Sequence, residues 1–598
     1  MNAPFGENDA VSAMPCSQSG FAQPLYLGEL AAMLHAGDGD TGVLFLSPWG
    51  YEELCARKTF RLMAERLAAA GFPSLRFDYP GTGDSGGEEN SETGWIVPSR
   101  GILGDFRSFH GLKRVIVLGQ GIGCLYATHL AATDPSVAGL VLLAPPASGR
   151  GYLREVAAWT SFTRPTFLVK PDDGPEGSLM AAGFVLPKDV AVEAKMLSLK
   201  KETLPANLPT LFVARRDHPG DAALVDHLSA AGCDVIVTPF EGYAEYVSDP
   251  TLSDVPQAVI EAVADWAEER FEHSGPAIPG RTICDEETAI EPVEGVREEM
   301  LRFGPGKRLF GVFAEPSGES AKTAVLFLNS GYDHHGGWAN VHVDFARALA
   351  RNGIASLRID LSNVGESPRW PDQQAQVLYS DGQIADVGAA IDEMKARGIE
   401  TVIAYGRCSG AYLALLSTVA DERIDAMVMV NSRRFAWNPK QDVDTELRKP
   451  VQPLENYTAK MRDPAALKRA LSSPEEFRKA SAKLARGLSR PLMRALAPAL
   501  GPLSIHNRLD KLVHGRMASL KRRGVPALVI YSEKDPGLEE LRSYFGPEYA
   551  RIEAYENVQL TFVANADHNL TPAPARAAVL ARLTALARAL DKRERLAA

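Results

Sequence analysis

The sequence predicts an α/β protein built twice: two tandem domains, each a mostly parallel sheet covered by helices, with a helical cap on the second. Three observations carry this. At 598 residues the chain is too long for one hydrophobic core. Short blocks recur at a single offset of 282 residues: Val43-Leu44-Phe45-Leu46 returns as Val325-Leu326-Phe327-Leu328, Ser74-Leu75-Arg76 as Ser356-Leu357-Arg358, and Gly83 with Ser85 as Gly365 with Ser367. Such a coincidence implies two copies of one fold. Finally, strands that are apolar throughout alternate with helical patterns, as in a parallel sheet buried on both faces.

Each copy repeats one order of elements. A strand (Val43 to Leu46; Ala324 to Leu328) leads to an amphipathic helix (Phe60 to Ala70; Val343 to Asn352) that Gly71 or Gly353 terminates. A second strand follows (Ser74 to Phe77; Ser356 to Ile359), then an acidic, glycine-rich loop. A third strand (Arg114 to Leu118; Thr401 to Ala404) runs into a glycine-bracketed turn and a helix, and a fourth follows (Gly139 to Leu143; Ala426 to Val430). Residues 1–20 read as a flexible tail, 21–272 as the first domain, 273–294 as a Pro-, Gly- and acid-rich linker, and 295–598 as the second domain, with its cap at about 433–523.

Composition narrows the classes. An apolar share of 45% and a charged share of 23% are ordinary for a soluble globular protein. No apolar run is long enough to span a bilayer, and the N-terminus lacks a basic segment followed by an apolar one, so a cytoplasmic location is expected. The six cysteines are widely spaced with no CxxC pair, which argues against a zinc site and a disulfide framework; no metal and no cofactor are expected. The net charge of −11 does not suggest a nucleic-acid binder.

The chemistry concentrates in the second copy. In Gly406-Arg407-Cys408-Ser409-Gly410, glycines stand two places before and after Cys408, between a strand and a helix. That is the signature of a nucleophile held on a sharp turn at a helix N-terminus. The plain alternative is a buried cysteine at a structural turn. Chain order then asks for an acid and a base. The last long strand, Ala527 to Tyr531, ends in Ser532-Glu533-Lys534-Asp535-Pro536-Gly537, which makes Asp535 the acid and Glu533 its runner-up. His568, the only later histidine, lies in a polar loop before the final helix (Pro574 to Leu590) and is the expected base. The oxyanion hole should use the Ser409 N–H and a second donor at Gly331 or Tyr332. In the first copy the bracketed residue is Gly121, which cannot attack. Cys124 reads as a packed core thiol. The acid loop keeps Asp217, but Glu245 stands where a His is expected. The first copy therefore reads as a pseudo-enzyme that supports the second by packing or assembly.

A thiol at a helix N-terminus beside an imidazole is substantially thiolate at neutral pH, and its exchange with a thioester is nearly thermoneutral, so Cys408 favours acyl transfer from a thioester. The elbow-to-acid spacing grows from 96 residues in the first copy to 127 in the second, which enlarges the cap. Residues 433–523 carry 21 Lys and Arg against 8 Asp and Glu. Such a basic surface suits an acidic donor such as acyl carrier protein or coenzyme A, or is simply a solvated helical face. Phe435, Trp437, Leu484, Leu488, Leu492, Met493 and Leu496 would line an acyl tunnel or belong to a core.

With these residues in view the chain resembles the α/β hydrolases of bacterial exopolysaccharide gene clusters, including the exosortase-associated hydrolases. The second copy carries the resemblance in Leu328-Asn329-Ser330-Gly331, Arg358-Ile359-Asp360-Leu361-Ser362, Cys408-Ser409-Gly410-Ala411-Tyr412, Val430-Asn431 and Ser532 to Gly537. The first carries it in Arg76-Phe77-Asp78-Tyr79, Gly81-Thr82-Gly83-Asp84-Ser85 and Gly149 to Glu155. The resemblance implies two tandem α/β-hydrolase domains with a triad of Cys408, Asp535 and His568; Gly121 and Glu245 depart from its pattern. Three functions compete: an acyltransferase or thioesterase working through acyl-Cys408, a Cys-dependent ester or lactone hydrolase of the dienelactone-hydrolase kind, and a non-catalytic scaffold.

Overall fold

The computed structural model describes residues 20–87, 94–163, 166–216, 218–271, 285–318, 320–371, 373–374, 376–438, 440–443, 445 and 504–597. The expected tail 1–20 thus lies, but for residue 20, outside the described residues, as do much of the linker and the cap, Asp217, and the cap residues Leu484, Leu488, Leu492, Met493 and Leu496.

The first half contributes β1 (Gln23–Leu27), β2 (Leu30–His35), β3 (Thr41–Leu46), β4 (Ser74–Phe77), β5 (Arg114–Gln120), β6 (Val137–Leu143), a small hairpin of β7 (Leu179–Ala181) and β8 (Phe184–Leu186), then β9 (Pro209–Arg215) and β10 (Asp234–Phe240). Eight of these form one sheet in the order β1-β2-β4-β3-β5-β6-β9-β10. The second half follows with β11 (Ala289–Val293), β12 (Val296–Phe303), β13 (Leu309–Pro316), β14 (Thr323–Leu328), β15 (Ala355–Asp360), β16 (Thr401–Arg407), β17 (Ala426–Val430), β18 (Ala527–Ser532) and β19 (Val558–Val563). Its nine strands run β11-β12-β13-β15-β14-β16-β17-β18-β19. In both sheets the leading strands pair antiparallel, and every later pair is parallel.

The repeat holds in register. Leu46 of β3 pairs with Gly119 of β5, and Leu328 of β14 pairs with Gly406 of β16. Each half therefore brings a bracketing glycine to the same level of the sheet, where crossover helices must leave the strand ends. Gly71 and Gly353 take positive φ just past their helices, as expected. One boundary differs. β11 begins at Ala289 and pairs with β12, so the second sheet takes in the end of the stretch read as linker. Glu291 and Pro292 interrupt it, so no continuous apolar run announced it.

Helices cover both faces. In the second half, Val341–Ala350 and the final helix Ala573–Ala597 bury Phe345, Leu349, Val579 and Leu583 on one face. Gly382–Ala396, Ser409–Ala420 and Ile505–Arg523 lie on the other. The last of these ends the cap, and it buries Val513, Met517 and Leu520 in the core.

The halves share their interior. Tyr26, Ala31 and Met33 pack with Met300, Phe310 and Val312. Trp338 enters an apolar cluster of Leu54, Phe167, Val169 and Met180 and donates its indole N–H to the Ala182 carbonyl at 2.7 Å. A charged layer lies between these clusters: Arg76 pairs with Glu366 at 2.6 Å, and His335 stands between Asp84 at 2.5 Å and Asp360 at 2.9 Å.

Candidate active site

Cys408 sits between β16 and the helix Ser409–Ala420, with φ 55° and ψ −117°, a backbone conformation that a non-glycine residue adopts only where the surroundings impose it. The bracketing glycines explain how. A Cβ at Gly406 would lie 2.1 Å from the Gly410 carbonyl oxygen, and one at Gly410 would lie 2.6 Å from that of Asn329. The Cys408 N–H donates to Val430 at 3.0 Å, and the side chain stays partly exposed.

β18 delivers Asp535, whose side chain is fully buried and whose Oδ2 lies 2.6 Å from His568 Nδ1. Its Oδ1 accepts the Gly537 N–H at 2.7 Å. Glu533 points to solvent, which leaves Asp535 as the carboxylate in contact. His568 Nε2 is buried and has no hydrogen-bond partner of full geometry among the described residues, yet thiol and imidazole shift one another; such contacts are often loose before substrate binds. Burial disfavours the imidazolium, but Asp535 and then Cys408 outweigh it and lift the pKa to about 9. Burial likewise raises the thiol, but His568 overcomes it, with Arg433 and Arg407 adding to the pull, and brings Cys408 down to about 7. The three expected triad residues are thus brought together.

The loop expected to supply the second oxyanion donor has contacts of its own. The Gly331 N–H is already engaged, donating to the Ser409 hydroxyl at 2.7 Å. The Tyr332 hydroxyl donates to Gln376 at 2.9 Å. Ser409 opens its helix, where the first N–H groups have no partner within the helix.

Several residues were not singled out for a role at the site. Asn431, just past β17, takes the Ser532 N–H at 2.7 Å and donates to the His568 carbonyl at 3.0 Å, tying the base loop to the acid strand. Arg407 reaches Asn569 at 2.5 Å and Asp333 at 2.9 Å. Burial, opposed by Arg407, raises the Asp333 carboxyl to about 6. Position at a strand end was the available signal for Asn431 and Arg407. Trp437 stacks on Tyr379 with ring centres 4.6 Å apart, and Tyr379 feels the Cys408 charge; Phe435 instead packs against Tyr544 and Phe545 in the core.

The first half reaches this site too. The Leu168 N–H donates to Asp567 at 2.9 Å, beside the base, and Thr251 lies against Gly331, 2.5 Å from where a Cβ would be. Its own turn is filled. Gly121 has φ +53°, and a Cβ there would meet a Glu52 carboxylate oxygen at 2.4 Å. Glu52 accepts from Gln120 at 3.0 Å and Tyr243 at 3.3 Å, and burial raises its pKa. Glu245 is exposed. Cys124 is buried, donates to Gly119 at 3.1 Å, and has its pKa pushed well up by burial.

Among the described residues no three His, Cys, Asp or Glu side chains gather as a metal site, and no helix is long and apolar enough to cross a membrane. Residues 325–582 match the family described as "Alpha/beta hydrolase family", and residues 50–180 that described as "Serine aminopeptidase, S33". No curated protein matches the chain. Similar solved structures include Est1E from Butyrivibrio proteoclasticus with bound ferulic acid (16% identity, 42% of this chain and 99% of the other, TM-score 0.32). Others are dienelactone hydrolase from Anabaena variabilis (15%, 49% and 96%, 0.29) and a thioesterase domain from the curacin biosynthetic pathway (16%, 48% and 98%, 0.28).

Proposed function

Since the chain belongs to the α/β-hydrolase superfamily, we propose that it transfers or hydrolyses acyl groups through an acyl-Cys408 intermediate, taking them from a thioester of acyl carrier protein or coenzyme A. The observation that carries this reading is the Cys408–His568–Asp535 constellation, with its thiol held near 7 and its imidazole near 9. Those values favour a thiolate–imidazolium pair at neutral pH.

In the first step the Cys408 thiolate attacks the thioester carbonyl. The tetrahedral oxyanion is met by the Ser409 N–H and by the Gly331–Tyr332 loop, where the Ser409 hydroxyl must turn away to free the Gly331 N–H. The C–S bond to the donor breaks, and His568 gives its proton to the departing thiolate. In the second step His568 takes a proton from water, an alcohol or an amine as that acceptor attacks the acyl-cysteine, and the Cys408 thiolate leaves. Asp535 holds the imidazole orientation and offsets its charge. The first half, with Gly121 and Glu245 at the places of nucleophile and base, is a pseudo-enzyme that braces the second.

Intact-mass analysis after incubation with a panel of acyl thioesters tests this. The expected result is an acyl adduct on Cys408 that Cys408→Ala abolishes and His568→Ala slows. Adducts from simple esters or lactones alone would move the reading to a lactone-type hydrolase, and no adduct with no turnover would leave a scaffold.

A further inference from the structure

Arg433 acts on the Cys408 thiol and has no role in the mechanism above. The residues before it are rigidly held. Val430 accepts the Cys408 N–H at 3.0 Å. Asn431 is fixed by Ser532 and the His568 carbonyl. Ser432 accepts the Tyr531 hydroxyl at 2.7 Å, and its carbonyl lies 2.3 Å from where a Cβ on Gly537 would be. This turn is therefore wedged between the elbow and the Asp535 loop, and Arg433, which follows it directly, is close enough for its charge to act on the Cys408 thiol.

Neighbouring arginines are paired: Arg407 with Asp333, Arg434 with Glu540, Arg516 with the Phe435 carbonyl. Arg433 has no ion pair or hydrogen bond from its side chain among the described residues, and its Nε is shut off from water without an acceptor. Leaving a buried donor on a cation unpaired is costly, so, with no anion facing it among the described residues, the guanidinium suits an anion that the substrate brings. Activation of the thiol does not account for this, because His568 is the larger influence on Cys408.

We propose that Arg433 binds a carboxylate carried on the acyl group, so that the substrate is a short dicarboxylic acid joined through one of its ends as a thioester or ester. This rests on Cys408 being the nucleophile. The phosphates of coenzyme A or acyl carrier protein do not fit the position, because the pantetheine arm holds them many bonds from the reacting carbonyl. A planar carboxylate matches the guanidinium fork with two parallel hydrogen bonds.

The test compares the succinyl thioester of N-acetylcysteamine with the same thioester whose free carboxyl is capped as a methyl ester, on the full chain, with Arg433→Gln and Arg433→Lys. The native protein should prefer the succinyl compound by about tenfold or more in kcat/KM, as a charge-assisted pair implies. Arg433→Gln should lose that preference mainly through KM and leave the methyl ester nearly unchanged, while Arg433→Lys should keep part of it. Free succinate should protect Cys408 from iodoacetamide in the native chain and fail to do so in Arg433→Gln, a readout independent of turnover. Equal acylation by both compounds, abolished by Cys408→Ala, would overturn the carboxylate assignment and keep the nucleophile. Equal slowing of both in Arg433→Gln would make Arg433 a thiol-activating residue instead. No adduct on Cys408 from either compound would overturn the nucleophile and this inference with it.

Discussion

Replacing Asp535 by Asn isolates the charge that sets the thiol. Burial alone would lower His568, and Asp535 is the main reason its pKa is about 9. The imidazolium in turn is the main reason Cys408 lies near 7 rather than at its ordinary 9.0. Asn fills the same space and can still accept the Gly537 N–H, but it brings no charge. With the imidazole neutral, burial returns the thiol to about 9 or higher. At pH 7 the thiolate fraction then falls from about one half to about one hundredth, roughly 50-fold. A thiolate of higher pKa is also the better nucleophile; with a Brønsted slope of about 0.45, two units return about eightfold, leaving a net loss of roughly sixfold. The assay is the pH profile of iodoacetamide alkylation at Cys408, read by peptide mass spectrometry so that the buried thiols Cys55, Cys124 and Cys233 do not contribute. The midpoint should move from about 7 to 9 or above. A midpoint in Asp535→Asn within a few tenths of the native value would refute the coupling, whatever happened to turnover.

Two further outcomes follow from the contact between the halves and from the glycine turn at Gly121. His335 is disfavoured as a cation by burial, but Asp84 and Asp360 outweigh this and raise its pKa to about 10, from an ordinary 6.5. Its stabilising contribution is therefore complete below about pH 6.5 and lost as pH climbs toward 10, so thermal midpoints of the native chain should fall more steeply over that interval than those of His335→Gln. Gly121→Ser places a side chain 2.4 Å from Glu52 at φ +53°; it should destabilise by about 1 kcal/mol or more in denaturant titrations and create no second acylation site by intact mass, with Glu52→Ala restoring part of the stability.

The fold was legible because its periodicity is local: β3, β5, β14 and β16 are short apolar runs whose register follows from the strand ends. Cys408, Asp535 and His568 were legible because each stands at a strand end or loop where chain order restricts the choice. The state of the oxyanion loop was not, since the Gly331–Ser409 bond joins residues 78 apart in sequence and depends on which rotamer Ser409 takes. Nor was β11, where Glu291 and Pro292 break the apolar run. The contacts of Leu168 and Thr251 could not be read at all, because nothing in either half alone encodes the surface of the other.

Those last contacts bear on why the halves remain in one chain. Asp567 accepts the Leu168 N–H, the Asn569 N–H and the Thr571 N–H, so a backbone donor from the first half helps fix the residue preceding the proposed base. Thr251 presses on Gly331, at the loop proposed to face the developing oxyanion. Trp338, ten residues beyond β14, is buried in a cluster that Phe167, Val169 and Met180 of the first half help to form. The first half thus touches the base loop and the oxyanion loop, and burying a large aromatic is among the stronger packing contributions available. Changes in the first half at the Trp338 pocket or the Leu168 amide should therefore disturb the proposed site more than changes at Glu52, which fills the space above Gly121 and touches neither loop.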